Sequence, residues 1–454
     1  MGTKLTFLGG AGTVTGSKYL LETQRSKILI DCGLFQGHKE LRLRNWQTFP
    51  IEPRGLDAVV LTHAHLDHTG YLPALIRNGF KGPVFATSAT KDLCAVLLPD
   101  SGYLQEREAY LANKYRYSRH KPAKPLYTKE EATECLKQIV PMEFNEDNNI
   151  LKDVNIRFSP AGHILGAATV QVSMDGTNIL FSGDLGRPDD PVLVAPAPIH
   201  TADYLIVEST YGNRLHEDLD VDDEIAKLVV RVAGRGGTIL IPSFAVGRAQ
   251  SLLFYIQRLK AANKIPDLPV FLDSPMAINA SDIFCEHQSE HRLSVEQCRD
   301  TCAVATYVRT VDESKAIGVS PMPKIIISAS GMATGGRILH HIVSYGSDSR
   351  NAILFAGYQA AGTRGEKITG GASSVKIFGR QIPIRAEVTN LHALSAHADA
   401  NEIMTWLGNF KLPPNRTFIT HGEPKASGAL RQRIEEELNW ECNIPEYGDN
   451  VDLE

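Results

Sequence analysis

Four side chains that bind metal ions fall within six residues, in His63-Ala64-His65-Leu66-Asp67-His68. His63 and His65 follow an apolar run over 58–62. In extended chain, residues two apart point to the same side, so both imidazoles can face one ion. Asp67 and His68 come where the chain turns into a helix-like stretch and can reach a second ion nearby. Imidazole and carboxylate donors together suit Zn²⁺. Two further fragments carry isolated donors between glycines: Pro160-Ala161-Gly162-His163-Ile164-Leu165-Gly166 and Phe181-Ser182-Gly183-Asp184-Leu185-Gly186. His163 supplies a third ligand for one ion, and Asp184 a carboxylate able to bridge two. Asp31 ends the apolar run Ile28-Leu29-Ile30. It is expected to orient a ligand histidine from behind rather than to bind metal.

Such donors need a rigid frame that presents several strand ends together. Short strands are predicted over 4–9, 18–23, 27–31, 58–62 and 84–87, then 154–158, 168–173, 178–182 and 204–208. Hairpins mixed with covering helices predict a layered α/β sandwich. After Glu208 helices and strands alternate: helices over 222–233, 247–262 and 335–344, strands over 238–242, 269–272, 324–328 and 352–356. That alternation predicts a parallel sheet of βαβ units. After about residue 385 the hairpin-like texture resumes, with strands at 388–391 and 416–420 and helices at 399–408 and 425–438. The simplest organisation is one domain interrupted by another, over 1–210, 211–385 and 386–454.

Composition narrows the class. The chain has 454 residues, 43% of them hydrophobic and 22% charged, as in a globular protein of more than one core. No apolar run approaches the roughly 18 residues of a membrane span. The N-terminal Met1-Gly2-Thr3-Lys4-Leu5 reads as the start of the first strand rather than a signal peptide. Seven scattered cysteines without a C-x-x-C predict free thiols and a cytoplasmic location. A net charge of −5 gives no global attraction for polyanions, so any such ligand must be drawn in locally. The glycine-rich segment Gly9 to Gly16 lacks the G-x-x-x-x-G-K-[ST] signature, so no nucleotide cofactor is expected. It reads as a tight loop at the metal edge.

Asp31, His63-His65-Asp67-His68, His163 and Asp184, in this order, resemble the metallo-β-lactamase superfamily. Glu208 in Ile206-Val207-Glu208-Ser209-Thr210, His397 in Ser395-Ala396-His397-Ala398-Asp399 and His421 in Thr420-His421-Gly422 are similar to the extra motifs of its β-CASP branch of nucleic-acid-cleaving enzymes. The resemblance covers essentially the whole chain and implies an αββα metallo-β-lactamase sandwich with an inserted parallel-sheet β-CASP domain. It implies two Zn²⁺ ions, one held by His63, His65 and His163 and the other by Asp67, His68 and His421. Asp184 and a hydroxide would bridge them, and His397, its ring held by Glu208, would be the general acid. The catalytic set so implied is His397, Glu208, Asp184 and Asp67.

The resemblance further implies a zinc-dependent endoribonuclease acting on single-stranded RNA. Ser328, Ser330, Gly331, Ser395 and Arg248 are its candidate phosphate contacts, since small residues let backbone N–H groups approach phosphate closely. The basic run Lys114, Arg116, Arg119, His120, Lys121 and Lys124, interleaved with Tyr115 and Tyr117, is read as a solvated connector that could add backbone contacts. Three alternatives stay open: a 5′-exoribonuclease, a DNA nuclease of the same branch, and a small-molecule ester or lactam hydrolase of the same superfamily. The short segment after His421 is expected to leave no room for a further C-terminal domain, which favours an endonuclease. Neither a membrane nor a nucleotide is an expected partner, and a homodimer is left open.

Overall fold

The computed structural model describes residues 2–453 apart from Tyr117, Tyr358, Ala360 and Ala361. The chain divides into two compact units, residues 1–215 with 397–454, and residues 216–396.

The first unit contains two seven-stranded sheets. One includes Thr3–Phe7, Tyr19–Glu22, Lys27–Ile30, Ala58–Val60 and Val84–Thr87; the other includes Val154–Pro160, Ala168–Met174, Thr177–Phe181, Tyr204–Glu208 and Arg416–Thr420. Side chains alternate across each strand, so the central strands serve two interiors. Leu5, Phe7, Ile28 and Ile30 from the first sheet meet Phe158, Val170, Ile179, Phe181 and Phe418 from the second in a core between the sheets. Leu180, Leu205, Val207 and Ile419 point the other way and pack with Ile403, Leu407 and Leu430. Those last three lie on helices Ala400–Leu407 and Pro424–Arg433, which cover the outer face of the second sheet. Helix Ser88–Lys114 packs on Val84–Thr87 of the first. The result is an αββα sandwich. Because both faces are covered, its central strands read as continuous apolar runs.

The second unit is built on a six-stranded sheet whose pairings are all parallel. Ile239, Ile241, Ile325, Ile327 and Leu354 face helices Val221–Gly234 and Arg248–Ala261. Leu240, Ile326, Ile353 and Phe355 face Ile338 and Ile342 of helix Ile338–Tyr345. Helices therefore cover both faces, as parallel crossovers require. One expectation is corrected here. The strand at 388–391 is expected in the segment returning to the first domain. It is Glu387–Leu391, pairs in parallel with Ala352–Ala356, and forms an edge of the second unit's sheet. Among the described residues no helix is long and apolar enough to cross a membrane.

Candidate metal centre

The donors gather because several strands of the sandwich end at one edge. Thr177–Phe181, Tyr204–Glu208 and Arg416–Thr420 run parallel, with Glu208 opposite Thr420. Asp184, Glu208 and His421 therefore emerge together. In the other sheet Lys27–Ile30 and Ala58–Val60 are parallel too, which brings Asp31 beside the segment carrying His63 to His68.

Three imidazoles converge first. His65 Nδ1 lies 3.2 Å from His63 Nε2 and 3.1 Å from His163 Nε2. Asp184 Oδ2 stands 3.5 Å from His63 Nε2 and 3.6 Å from His163 Nε2. Beside them, His68 Nε2 is 3.3 Å from His421 Nε2, and His421 Nε2 is 3.5 Å from Asp67 Oδ2. The other Asp184 oxygen, Oδ1, sits 3.3 Å from His68 Nε2 and 3.2 Å from His421 Nδ1. One carboxylate thus turns one oxygen to each histidine group. Asp184 Oδ1 is buried, and among the described residues no hydrogen bond of good geometry reaches it. Facing ring nitrogens repel unless a proton or a cation lies between them, the single proton that His65 Nδ1 can carry cannot serve both of its partners, and buried oxygens seldom stay unsatisfied. The donor set is nitrogen and carboxylate oxygen, that of a borderline cation such as Zn²⁺, so the residues present fit a metal site.

Electrostatics agree with that reading for His63 and His65, whereas at His68 burial is overcome by the Asp184 and Asp31 carboxylates, which hold it well above its ordinary range. Burial, reinforced by the neighbouring His68, holds His63 well below the usual imidazole range and so neutral, as a ligand must be. Burial likewise lowers His65. Burial opposes ionisation of Asp184, yet His421, His68 and His63 outweigh it and keep the carboxylate well below its ordinary range. Asp67, pushed up by burial, is brought below its ordinary value chiefly by His421.

Behind the donors lies a supporting layer. Asp31 Oδ2 accepts from His68 Nδ1 at 2.7 Å and from the Thr62 hydroxyl at 2.9 Å, while Oδ1 accepts from the Thr62 amide at 2.8 Å. The Thr62 hydroxyl is also 3.0 Å from His63 Nδ1. Thr210 Oγ1 lies 3.1 Å from His421 Nδ1. Sequence reasoning missed both threonines; the only signal is their adjacency to His63 and Glu208. Asp31 and His421 both hold left-handed backbone, at φ 58° and 46°. Such residues cost on the order of 1–3 kcal/mol each and persist where neighbours hold them. Here the Asp31 amide donates to Val60 O and the His421 amide to Gly10 O, at 2.8 and 2.6 Å. The Gly9 to Gly16 loop thus braces the metal edge. Gly33 permits a second close approach: a Cβ there would stand 1.6 Å from the Asp67 carbonyl oxygen.

His397 and Glu208 sit alongside. His397 Nδ1 is 3.2 Å from Glu208 Oε1, and its ring centroid is 4.3 Å from that of His163. Glu208 is buried and accepts from the amides of Leu185 at 2.7 Å and Thr210 at 3.1 Å. Burial pushes His397 down, but Glu208, with Asp184 and Asp67, raises it above the ordinary imidazole value.

The phosphate candidates lie in the second unit. Arg248, Ser330, Gly331 and Ser395 all follow the C-terminal ends of its parallel strands, the edge where such sheets bind ligands. Arg248 starts helix Arg248–Ala261, and Ser395 is buried at the end of the turn His392–Leu394. Ser330 Oγ accepts from the amides of Thr334 and Gly335. Ser328 does not suit the role. It is 1% exposed and its hydroxyl donates to Asp273 O, because it is the last residue of a central strand rather than part of the loop beyond. The basic run is exposed beyond helix Ser88–Lys114, with the Lys114 ammonium 5.6 Å from the Tyr115 ring centroid. Tyr117 lies outside the described residues.

Comparison with known proteins places three matches along the chain: the metallo-beta-lactamase superfamily over residues 11–85, the Beta-Casp domain over 249–368, and the Zn-dependent metallo-hydrolase RNA specificity domain over 381–445. "Ribonuclease TTHA0252" of Thermus thermophilus is 34% identical over 98% of this chain and 98% of its own length. "Transcription termination factor FttA" of Methanosarcina mazei is 32% identical over 96% of this chain and 70% of its own. An "RNase J-like protein" of Methanocaldococcus jannaschii is 28% identical over 98% of each. A crystal structure of a protein of unknown function from Enterococcus faecalis V583 shares the fold, with a TM-score of 0.55 at 15% identity over 99% of this chain and 100% of that one. A chain with these ligand-bearing strand ends and these relatives belongs to the β-CASP branch of the metallo-β-lactamase superfamily and is a metal-dependent hydrolase.

Proposed function

We propose that the chain is a dinuclear zinc endoribonuclease that cuts single-stranded RNA. The observation that carries this is the division of Asp184, one oxygen to each histidine group, with the His397–Glu208 pair beside it. His63, His65 and His163 would hold one ion and Asp67, His68 and His421 the other, with Asp184 shared. When bound, two Zn²⁺ ions supply a water of lowered pKa and positive charge that stabilises an in-line phosphoryl transition state. The protein's own work is to aim and tune these groups. Asp31 and Thr62 fix the rings of His68 and His63, and Thr210 that of His421, so that each presents its other nitrogen.

A phosphodiester also needs a proton on its departing oxygen. His397 is the one histidine of this cluster assigned to neither ion, and Glu208 favours its protonated form. General acid catalysis of this kind contributes about 10²–10⁴-fold. Glu208 acts through His397 and is a positioning residue. The RNA polymer is supported by the RNA specificity match and by relatives named as ribonucleases.

Incubating zinc-loaded protein with 5′-labelled and internally labelled single-stranded RNA and DNA tests both substrate and mode. Internal fragments from RNA alone are expected. Mononucleotides released from the 5′ end would replace the endonuclease by an exonuclease. Turnover of a small ester with neither polymer cut would overturn the proposal.

A further inference from the structure

Three cysteines that the hydrolytic site does not use meet in the second unit. Cys285 lies near the end of helix Pro275–Glu286, and Cys298 and Cys302 stand four apart on helix Val295–Ala303. Residues so spaced share one helix face. Cys285 Sγ is 2.6 Å from Cys298 Sγ and 3.2 Å from Cys302 Sγ, and all three sulfurs lie within 4.8 Å of one another. Cys298 is buried, and the other two are partly exposed. The remaining four cysteines are buried and join no such group among the described residues.

We infer that Cys285, Cys298 and Cys302 form a trithiolate site for a thiophilic cation of Zn²⁺ type, separate in its residues and chemistry from the histidine–aspartate centre. A compact triangle of sulfurs is what one ion requires, and soft thiolates select zinc-like or Cu(I)-like ions. Sulfurs around a tetrahedral zinc stand about 3.7 Å apart, given Zn–S bonds of about 2.3 Å. Loading therefore asks Cys285 Sγ to move apart by about 1.1 Å from Cys298 Sγ and about 0.5 Å from Cys302 Sγ, within reach of side-chain rotation. The neighbouring Cys298 lowers the Cys302 thiol from its ordinary value, so Cys302 gives up its proton most readily of the three. The thiol protons of Cys285, Cys298 and Cys302 leave to solvent as the ion binds. Solvent reaching the two partly exposed cysteines supplies the fourth ligand. Asp282, one turn before Cys285, adds negative charge nearby. The rival is a Cys285–Cys298 disulfide, which needs a two-electron oxidant such as a peroxide and leaves the convergence of Cys302 unexplained. A bound ion would staple the two helices together.

Cadmium chloride added to the reduced full-length protein tests this directly. The other centre has no sulfur donor, so a thiolate-to-cadmium charge-transfer absorption reports the cysteines alone. The band is expected to saturate with a single cadmium per chain at this site. It should disappear in both Cys298→Ser and Cys302→Ser, and zinc-loaded variants should hold one ion fewer than the parent. Cys302 is partly exposed, so Cys302→Ser keeps the test open if the buried Cys298→Ser fails to fold. A reduced protein without the band, equal zinc contents in parent and folded variant, or a mapped Cys285–Cys298 disulfide with no band after reduction would each overturn the inference.

Discussion

Replacing Glu208 by glutamine separates the electrostatic from the structural work of one buried carboxylate. The ion pair with His397 spans 3.2 Å, a gross attraction of about 5 kcal/mol at an effective dielectric constant near 20. Burial works against the imidazolium, so the raised pKa of His397 is the excess of carboxylate attraction over desolvation. The amide removes the attraction and leaves the desolvation, and the pKa of His397 then falls. A general acid works only while protonated, so activity is lost as pH rises through its pKa. Glu208→Gln should therefore move the alkaline limb of the kcat/KM profile to lower pH and reduce the rate about 10²–10⁴-fold near neutrality. The same change endangers the acceptor sites used by the Leu185 and Thr210 amides, at a cost of roughly 1–3 kcal/mol if one is left unsatisfied. A pH–rate series with urea unfolding of the same samples distinguishes the two effects. His397→Ala should lose cleavage while keeping its metal. An alkaline limb in Glu208→Gln that coincides with the parent's would refute the pairing argument, whatever happened to stability.

Asp184→Ala should release metal from both histidine groups, measured by metal analysis after gel filtration; a variant that keeps the parent's metal content would contradict the shared role. Gly33→Ala drives a Cβ to 1.6 Å from the Asp67 carbonyl oxygen, a backbone atom that cannot rotate away, and should cost at least the roughly 1–3 kcal/mol of overpacking and weaken metal retention, read by Tm and metal content. Lys18 is buried, donates to Gly16 O and Gly33 O, and is brought by desolvation from 10.5 to about 8. Between those values the unfolded chain holds a proton that the folded chain has released, so this group's contribution to stability rises with pH across that window and is smallest below about 8. The stability of the parent minus that of Lys18→Met should thus grow by about 3 kcal/mol from pH 8 to 10.5, and a flat difference would refute the burial argument.

Much of the site is legible before folding because metal ligands obey short-range rules. His63, His65, Asp67 and His68 are recognisable from spacing at a strand end, and His163 and Asp184 from donors isolated between glycines. The αββα frame is legible for a similar reason, since strand periodicity and turn residues are local. Other features depend on which strands become neighbours. His421 meets His68 across 353 positions because Arg416–Thr420 pairs with Tyr204–Glu208. That pairing also sets Glu208 at the metal edge within reach of His397, and no local pattern could give Asp184 one oxygen toward each group. Parallel pairing assigns Glu387–Leu391 to the second unit, although its own residues suit either sheet. Ser328 is lost as a phosphate contact because its hydroxyl turns inward to Asp273 O. The cysteines show the limit most plainly. C-x-x-x-C predicts a shared helix face for Cys298 and Cys302, but the third sulfur arrives from a different helix. Residue types and their spacing along the chain thus mark which side chains could bind metal and what chemistry they could support. Which of them meet is set by strand pairing and helix packing, because these act between residues that the chain order keeps far apart.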